Sequence, residues 1–232
     1  GRLLAIGSYD GTATLWDQET GAKVRTLRGH TSVIQDVVFS PDGARVGTAS
    51  WDSSVRIWDT RSGELVMAPL MHEGLARAVA FPPDATLIVT GTPGGLAFWD
   101  ANSGAPLSDR LGASAARWVE EIVFSHNGSK MAVASNAGTA LHQWDVDTWH
   151  PIATPAETGS NALAVAYSPD GDVIATGHID GGVHLWNATT HAQIGLDLAH
   201  PGTAQGVVFS PDGRTLAVCS GDNSYRLWDV AS

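Results

Sequence analysis

Between Gly29 and Asp59 short apolar runs alternate with clusters of turn-forming residues. The run VIQDVVF, 33–39, is apolar and rich in β-branched residues, which suit a pleated, half-buried surface. Pro41-Asp42-Gly43 follows, where proline presets φ and glycine accepts a positive φ, so a tight turn is predicted. A second strand is predicted at about 44–50. The turn Trp51-Asp52-Ser53 leads into SVRIW, 54–58, whose polarity alternates with the period of two that a strand requires. Thr60-Arg61-Ser62-Gly63 is a further turn, and ELVMAPL, 64–70, reads as a fourth strand. No stretch sustains a helical period. The pattern therefore predicts one antiparallel four-stranded sheet in about 42 residues.

The same pattern returns along the chain. A Trp-Asp pair, or Trp-Asn, recurs at Trp16, Trp58, Trp99, Trp144, Trp186 and Trp228, at spacings of 42, 41, 45, 42 and 42. A second marker keeps the same beat: Ser40-Pro41-Asp42-Gly43, Pro82-Pro83-Asp84-Ala85, Ser125-His126-Asn127-Gly128, Ser168-Pro169-Asp170-Gly171 and Ser210-Pro211-Asp212-Gly213. Two markers sharing one period define a structural repeat. A lone sheet of this size with two apolar faces is unstable in water, so copies must stack face to face.

The Gly-His start, the Ser-Pro-Asp-Gly turn, the Ser-x-Asp turn and the Trp-Asp end, at these spacings, resemble the WD-repeat β-propeller family over essentially all 232 residues. The resemblance implies an all-β fold, a propeller whose blades are the four-stranded sheets. In the family one sequence repeat supplies the outer strand of one blade and the inner three of the next. Six blades are then expected within a single domain, 1–232. The first lacks its inner strand, the last its outer strand, and four are complete, with outer strands ending near 70, 111, 154 and 198. On this reading the chain is a piece of a seven-bladed or larger propeller, incomplete at both ends, and its Ala/Gly-rich style resembles bacterial members.

Composition narrows the functional classes. The formal net charge is −11, from 13 Lys+Arg against 24 Asp+Glu, without the clustered cations that phosphate binding requires. Nucleic acid and anionic membrane surfaces are therefore disfavoured partners, and no apolar run approaches the roughly 20 residues needed to span a bilayer. Cys219 is the only cysteine, which excludes an internal disulfide and a cysteine zinc cluster and suits the cytoplasm. No cofactor is expected. Gly91-Thr92-Pro93-Gly94-Gly95 lacks the Lys-Ser/Thr of a phosphate loop. His178, Asp180 and His184 lie close in sequence, but nothing nearby supplies a further His or Cys ligand, so no metal site is assigned.

His30, Ser50 and Asp52 have the residue types of a nucleophilic triad. A catalytic triad needs one copy, whereas His200, Ser220 and Asp222 repeat the set. The family resemblance implies a structural tetrad in which the Trp indole N–H joins the chain, giving His30, Ser50, Asp52, Trp58 and His200, Ser220, Asp222, Trp228. Blades 2 and 6 are then the firmly stapled ones. Blade 3 keeps His72, Thr92 and Trp99 without the Asp, blade 4 keeps Ser135 and Trp144, and blade 5 carries His178 at the Ser position.

With the polar repeats assigned to structure, no catalytic residues are expected. The resemblance implies a protein–protein interaction scaffold that binds a partner protein or peptide on the face bearing the His-start loops and Ser-x-Asp turns. Residues just before the turn Asp, including Tyr9, Trp51 and Ile179, project there. Counting back four from the aromatic ending each inner strand adds Gln35, Arg77, Glu120, Leu163 and Gln205, and Trp118 lies nearby. Aromatic side chains with interspersed Arg are typical binding hot spots. The acidic balance, Asp36, Glu120 and Glu121 included, favours a basic partner segment. The alternative is a sensor or regulatory module fused to other domains of a larger signalling protein, such as an NTPase, kinase or protease.

Overall fold

The computed structural model describes residues 2–107, 116–137, 140–152 and 156–230. Among them, twenty-two strands form six antiparallel sheets. The chain divides into two compact units, Gly1–Arg110 and Leu111–Ser232.

The first unit holds three sheets. β1 (Leu3–Gly7), β2 (Thr12–Asp17) and β3 (Lys23–Arg28) form the first. β4 (Ile34–Phe39), β5 (Arg45–Ser50), β6 (Ser54–Asp59) and β7 (Leu70–Met71) form the second. β8 (Ala78–Ala80), β9 (Leu87–Thr92), β10 (Gly95–Asp100) and β11 (Pro106–Leu107) form the third. In the second unit, β12 (Val119–Phe124), β13 (Lys130–Ser135), β14 (Ala140–Asp145) and β15 (Ala156–Glu157) make the fourth sheet. β16 (Ala162–Tyr167), β17 (Val173–His178), β18 (Gly182–Asn187) and β19 (Gln193–Ala199) make the fifth, and β20 (Ala204–Phe209), β21 (Thr215–Ser220) and β22 (Tyr225–Asp229) the sixth. Every sheet runs in chain order, each strand pairing with the next one along the chain.

The period of two sends alternate side chains to opposite neighbours. From the second sheet, Val46 and Trp58 pack on Ala13, Leu15 and Leu27 of the first. Its Ala49, Val55 and Ile57 pack the other way, on Ala76, Val79 and Phe81. The second unit repeats the scheme, with Ala164, Ala175, Val183 and Leu185 of sheet five against Ala204, Val207 and Phe209 of sheet six. Each buried Val or Leu contributes about 1.5–3 kcal/mol, so stacking supplies the stability that one sheet lacks. The sheets approach so closely that a Cβ on Gly177 would lie 2.8 Å from the carbonyl oxygen of Ala204.

The inner three strands fall where the pattern places them, and the outer ones differ. Residues 64–70 were expected as one strand. Instead Leu65 makes an isolated bridge to Trp58, the chain bends at 66–68, and pairing resumes only at Leu70–Met71. Pro69 has no N–H to give the ladder, which accounts for the gap just before β7. The expected outer-strand ends near 111 and 154 lie outside the described residues. Four inner strands carry a register shift against their neighbour, after Ile34, Val119, Ala162 and Ala204. The residues left over at these bulges are Gln35, Glu120, Leu163 and Gln205, and a bulge re-aims the side chain it displaces.

Candidate functional site

The polar cluster of the second sheet is a closed relay. Trp58 Nε1 donates to Thr48 Oγ1 at 2.9 Å, and Thr48 Oγ1 lies 2.7 Å from His30 Nε2. His30 Nδ1 is 2.8 Å from Asp52 Oδ2. Trp and threonine supply their hydrogens in one direction, so His30 accepts at Nε2 and donates from Nδ1. Asp52 also accepts the N–H of Thr31 and both the N–H and hydroxyl of Ser54. Burial works to raise the Asp52 carboxyl, but the bonds from Ser54, Thr31 and His30 prevail and hold it at about 2. Burial keeps His30 below its ordinary value against the pull of Asp52, so the ring is neutral at pH 7.

The hydroxyl in this relay is Thr48, not Ser50. Ser50 Oγ donates instead to the Ser32 carbonyl and accepts the Asp52 N–H. Threonine recurs at the same place: Trp99 donates to Thr90 and Trp186 to Thr176, each at 2.9 Å. In the fifth sheet, His178 replaces the loop histidine. Its Nε2 faces Thr176 Oγ1 at 2.8 Å and its Nδ1 donates to the Ser160 carbonyl at 3.0 Å. That commits both ring nitrogens, although His184 stands 4.7 Å away ring to ring. Among the described residues no group of three His, Cys, Asp or Glu could hold a metal ion.

The sixth sheet departs from the expected staple. Val218 occupies the threonine position, so neither the His200 ring nor the Trp228 indole finds a hydroxyl there. His200 Nδ1 is 3.7 Å from Asp222, and both its ring nitrogens are buried without a hydrogen-bond partner among the described residues. Ser220 Oγ only accepts the Asp222 N–H, at 3.4 Å. His72 of the third sheet has Gly94 where an Asp would orient it. Burial alone pulls it down to about 4.

The residues expected at a partner surface divide between the units. In the first, Tyr9 is 84% exposed at its turn, and Gln35 projects from the bulge into solvent. The Tyr9 turn is tied to β4 by the bond from Ile34 N–H to the Ser8 carbonyl. Trp51 is half-buried with its indole N–H unpartnered, and Arg77 is half-buried. In the second unit, Trp118 and Ile179 are each 47% exposed. Trp118 holds a left-handed φ of 50°, which is rare for a bulky residue. Glu120 accepts from Asn136 Nδ2, and Asn136 Oδ1 accepts from Asn161. Gln205 is exposed and lies close over Gly221, its Nε2 3.2 Å from where a Cβ there would stand.

Asp36 and Glu121 do not join the partner surface as open acids. Asp36 accepts the Val79 N–H at 2.9 Å and Glu121 the Val165 N–H at 2.8 Å. Asp36 keeps some exposure as a residue, but its carboxyl is closely surrounded. Lost hydration outweighs the N–H bonds from Val79 and Val37 and pushes it up to about 6. Sequence reasoning also missed a buried triplet in the second unit: Gln143 donates to the Tyr167 hydroxyl at 2.7 Å and accepts from His191 Nε2 at 2.6 Å. The signal was present, since Gln143 stands where Ile57 and Leu185 are apolar, and His191 where Gly63 and Gly104 turn the chain.

Six meandering sheets, a shared stacking scheme and a Trp-Thr-His-Asp relay define a WD-repeat β-propeller in fold. The family model described as "WD domain, G-beta repeat" matches residues 21–59, 149–187 and 196–229, so the chain carries WD repeats. A chain in the structure titled "Crystal Structure of Mitotic Checkpoint Complex" is similar with a TM-score of 0.87 at 20% identity, covering 99% of this chain and 74% of that one. Human apoptotic protease-activating factor 1 is 32% identical over 176 residues, 73% of this chain and 14% of that protein. Nuclear distribution protein PAC1 of Arthroderma benhamiae is 51% identical over 43 residues, 18% of this chain and 9% of that protein. The chain thus spans a small part, 9–14%, of these relatives' length.

Proposed function

We propose that the protein is a non-catalytic interaction scaffold that binds a partner protein or peptide on the end of the blades carrying the His-start loops and Ser-x-Asp turns. The observation that carries this is Trp118, 47% exposed and held at a left-handed φ of 50°. Such a conformation costs on the order of 1–3 kcal/mol and persists where the surrounding structure holds it, often at ligand-binding sites; joined to the exposure of the ring it supports a binding role. Tyr9 in the first unit, 84% exposed, and Ile179 in the second support the reading. Trp51, Arg77, Gln35, Glu120 and Gln205 complete the two sets. The His30–Asp52 pair, by contrast, is spent on the buried relay, which favours binding over chemistry. A net charge of −11 favours a basic segment as the partner, in a cytoplasmic setting.

The test is a peptide selected on the immobilised protein from a random display library, then titrated in solution. Trp118→Ala should weaken it by about ten-fold or more, and Trp149→Ala, at the other end of its blade, should not. Binding that survives Trp118→Ala removes this surface. Binding that is indifferent to salt removes the basic segment.

A second reading is supported by apoptotic protease-activating factor 1, where the similar stretch is 14% of a far longer protein. The chain would then be the sensor or regulatory propeller of a multidomain signalling protein. A native polypeptide of only these 232 residues, detected in cells of the source organism, would remove it.

A further inference from the structure

Acids and cations sit at matching places in alternate blades. Asp36 follows the bulge of β4 and Glu121 the bulge of β12, and each accepts a backbone N–H from the inner strand of the following blade, at 2.9 Å from Val79 and 2.8 Å from Val165. At the other end of the same blades, Arg45 opens β5 and Lys130 opens β13. Arg45 Nη1 donates to the Ala101 carbonyl, and Lys130 Nζ donates to the Ala188 carbonyl at 3.2 Å. Both carbonyls come directly after the Trp-Asp or Trp-Asn that ends the third strand of the following blade.

The blades that receive these groups are built differently from those that send them. Blades 3 and 5 have Ala78 and Ala164 at the acid position, and Leu87 and Val173 at the cation position. Their receiving residues, Ala101 and Ala188, are fully buried, where the sending blades carry the larger Thr60 and Val146. A methyl side chain leaves the carbonyl open to a long cation. Blade 6 has Gly206 and Thr215 and can send neither group. Acid and cation each recur after 85 residues, twice the Trp-Asp period.

We propose that the cooperative unit of this chain is a pair of blades, 2 with 3 and 4 with 5, each pair locked by a carboxylate at the inner strand and a cation at the opposite end. In a repeat protein, stability is a sum of repeat and nearest-neighbour interface contributions. Paired clasps, one at each end of the junction of blades 2 and 3 and of blades 4 and 5, strengthen those two junctions. The junction of blades 5 and 6 has neither clasp; it rests on apolar contacts such as Ala164 and Leu185 against Val207 and Phe209, with a charged hydrogen bond from Arg226 Nη1 on β22 to the Ala199 carbonyl at 3.0 Å. Paired blades therefore open together, and blade 6 opens by itself.

Hydrogen–deuterium exchange of the full chain, read by mass spectrometry for each blade, tests this. Asp36→Ala should speed exchange on the order of ten-fold in blades 2 and 3 alike and leave blade 5 unchanged. Glu121→Ala should do the same to blades 4 and 5 and leave blade 2 unchanged. Val207→Ala, at the unclasped junction, should loosen blade 6 without blade 5. Acceleration confined to the substituted blade, or spread evenly along the chain, overturns the proposal. If the alanine variants fail to fold, Arg45→Met and Lys130→Met carry the same expectation from the other clasp. Asp36→Asn keeps an acceptor oxygen and should exchange no faster than the parent; behaviour like Asp36→Ala would also overturn it.

Discussion

At the scale of single residues, the relay decides which polar groups matter. Thr48→Val keeps volume but leaves Trp58 Nε1 and His30 Nε2 buried without partners. At about 1–3 kcal/mol for each orphaned group, the loss should be roughly 2–6 kcal/mol. Ser50→Ala should cost less, because its bonds are to a carbonyl and an N–H at the edge of a turn. His200→Ala should cost less than His30→Ala, since His200 makes no hydrogen bond that the change removes. Urea denaturation of the four variants orders them, and equal costs for Thr48 and Ser50 would sink the relay as drawn. The Trp, His and Asp of this relay were legible in the repeat. The hydroxyl was not, because Thr48 and Ser50 are two apart on one strand and share a face, so periodicity cannot choose between them. The reach of the His30 ring chooses. A signal did exist in the recurrence of Thr48, Thr90 and Thr176, lying 10, 9 and 10 residues before their tryptophans.

At the scale of strands and sheets, the inner three strands of each blade were legible because both their faces are buried and their turns carry Pro, Asp and Gly. The outer strands were not, since they pair on one edge only and are cut short by residues such as Pro69. The bulges were also invisible in the hydrophobic pattern, yet they account for why counting back four from Phe39 finds a displaced side chain. Sheet spacing yields a contrast between two glycines. Gly177 faces sheet six, where a Cβ would meet the Ala204 carbonyl oxygen at 2.8 Å, a backbone atom that cannot step aside. Gly177→Ala should cost about 1–3 kcal/mol, the usual penalty of overpacking. Gly206 lies on β20, where the nearest atom to a new Cβ is that of Cys219 at 3.8 Å. Gly206→Ala should be neutral or stabilise by about 0.4–1 kcal/mol through the unfolded chain. Thermal unfolding of the two variants checks the difference, and similar midpoints would mean that the sheets do not pack this closely.

At the scale of the whole molecule, titration couples many blades to one observable. The turn aspartates, Asp17 and Asp52 at about 2 among them, are lowered in the fold. Their contribution is present above the unfolded value near 4 and is lost as pH falls through about 2. His72, at about 4, and the lowered His30, His142 and His178 are held neutral by burial. For a histidine lowered in the fold, the contribution is full above about 6.5 and is lost as pH falls through its folded value, about 4 for His72. Asp36 runs the other way. Raised to about 6, it favours the fold below about 4, and that contribution is lost as pH rises through 6. Four histidines oppose one aspartate between about pH 4 and 6.5, so unfolding free energy in urea should rise across that interval. His72→Gln should flatten the rise, because it removes a group that must bind a proton on unfolding. Asp36→Asn should steepen it, because it removes the single opposing group named here. A profile that falls with pH in the parent, or a slope that neither substitution moves, would mean that these side chains titrate alike in the folded and unfolded chain.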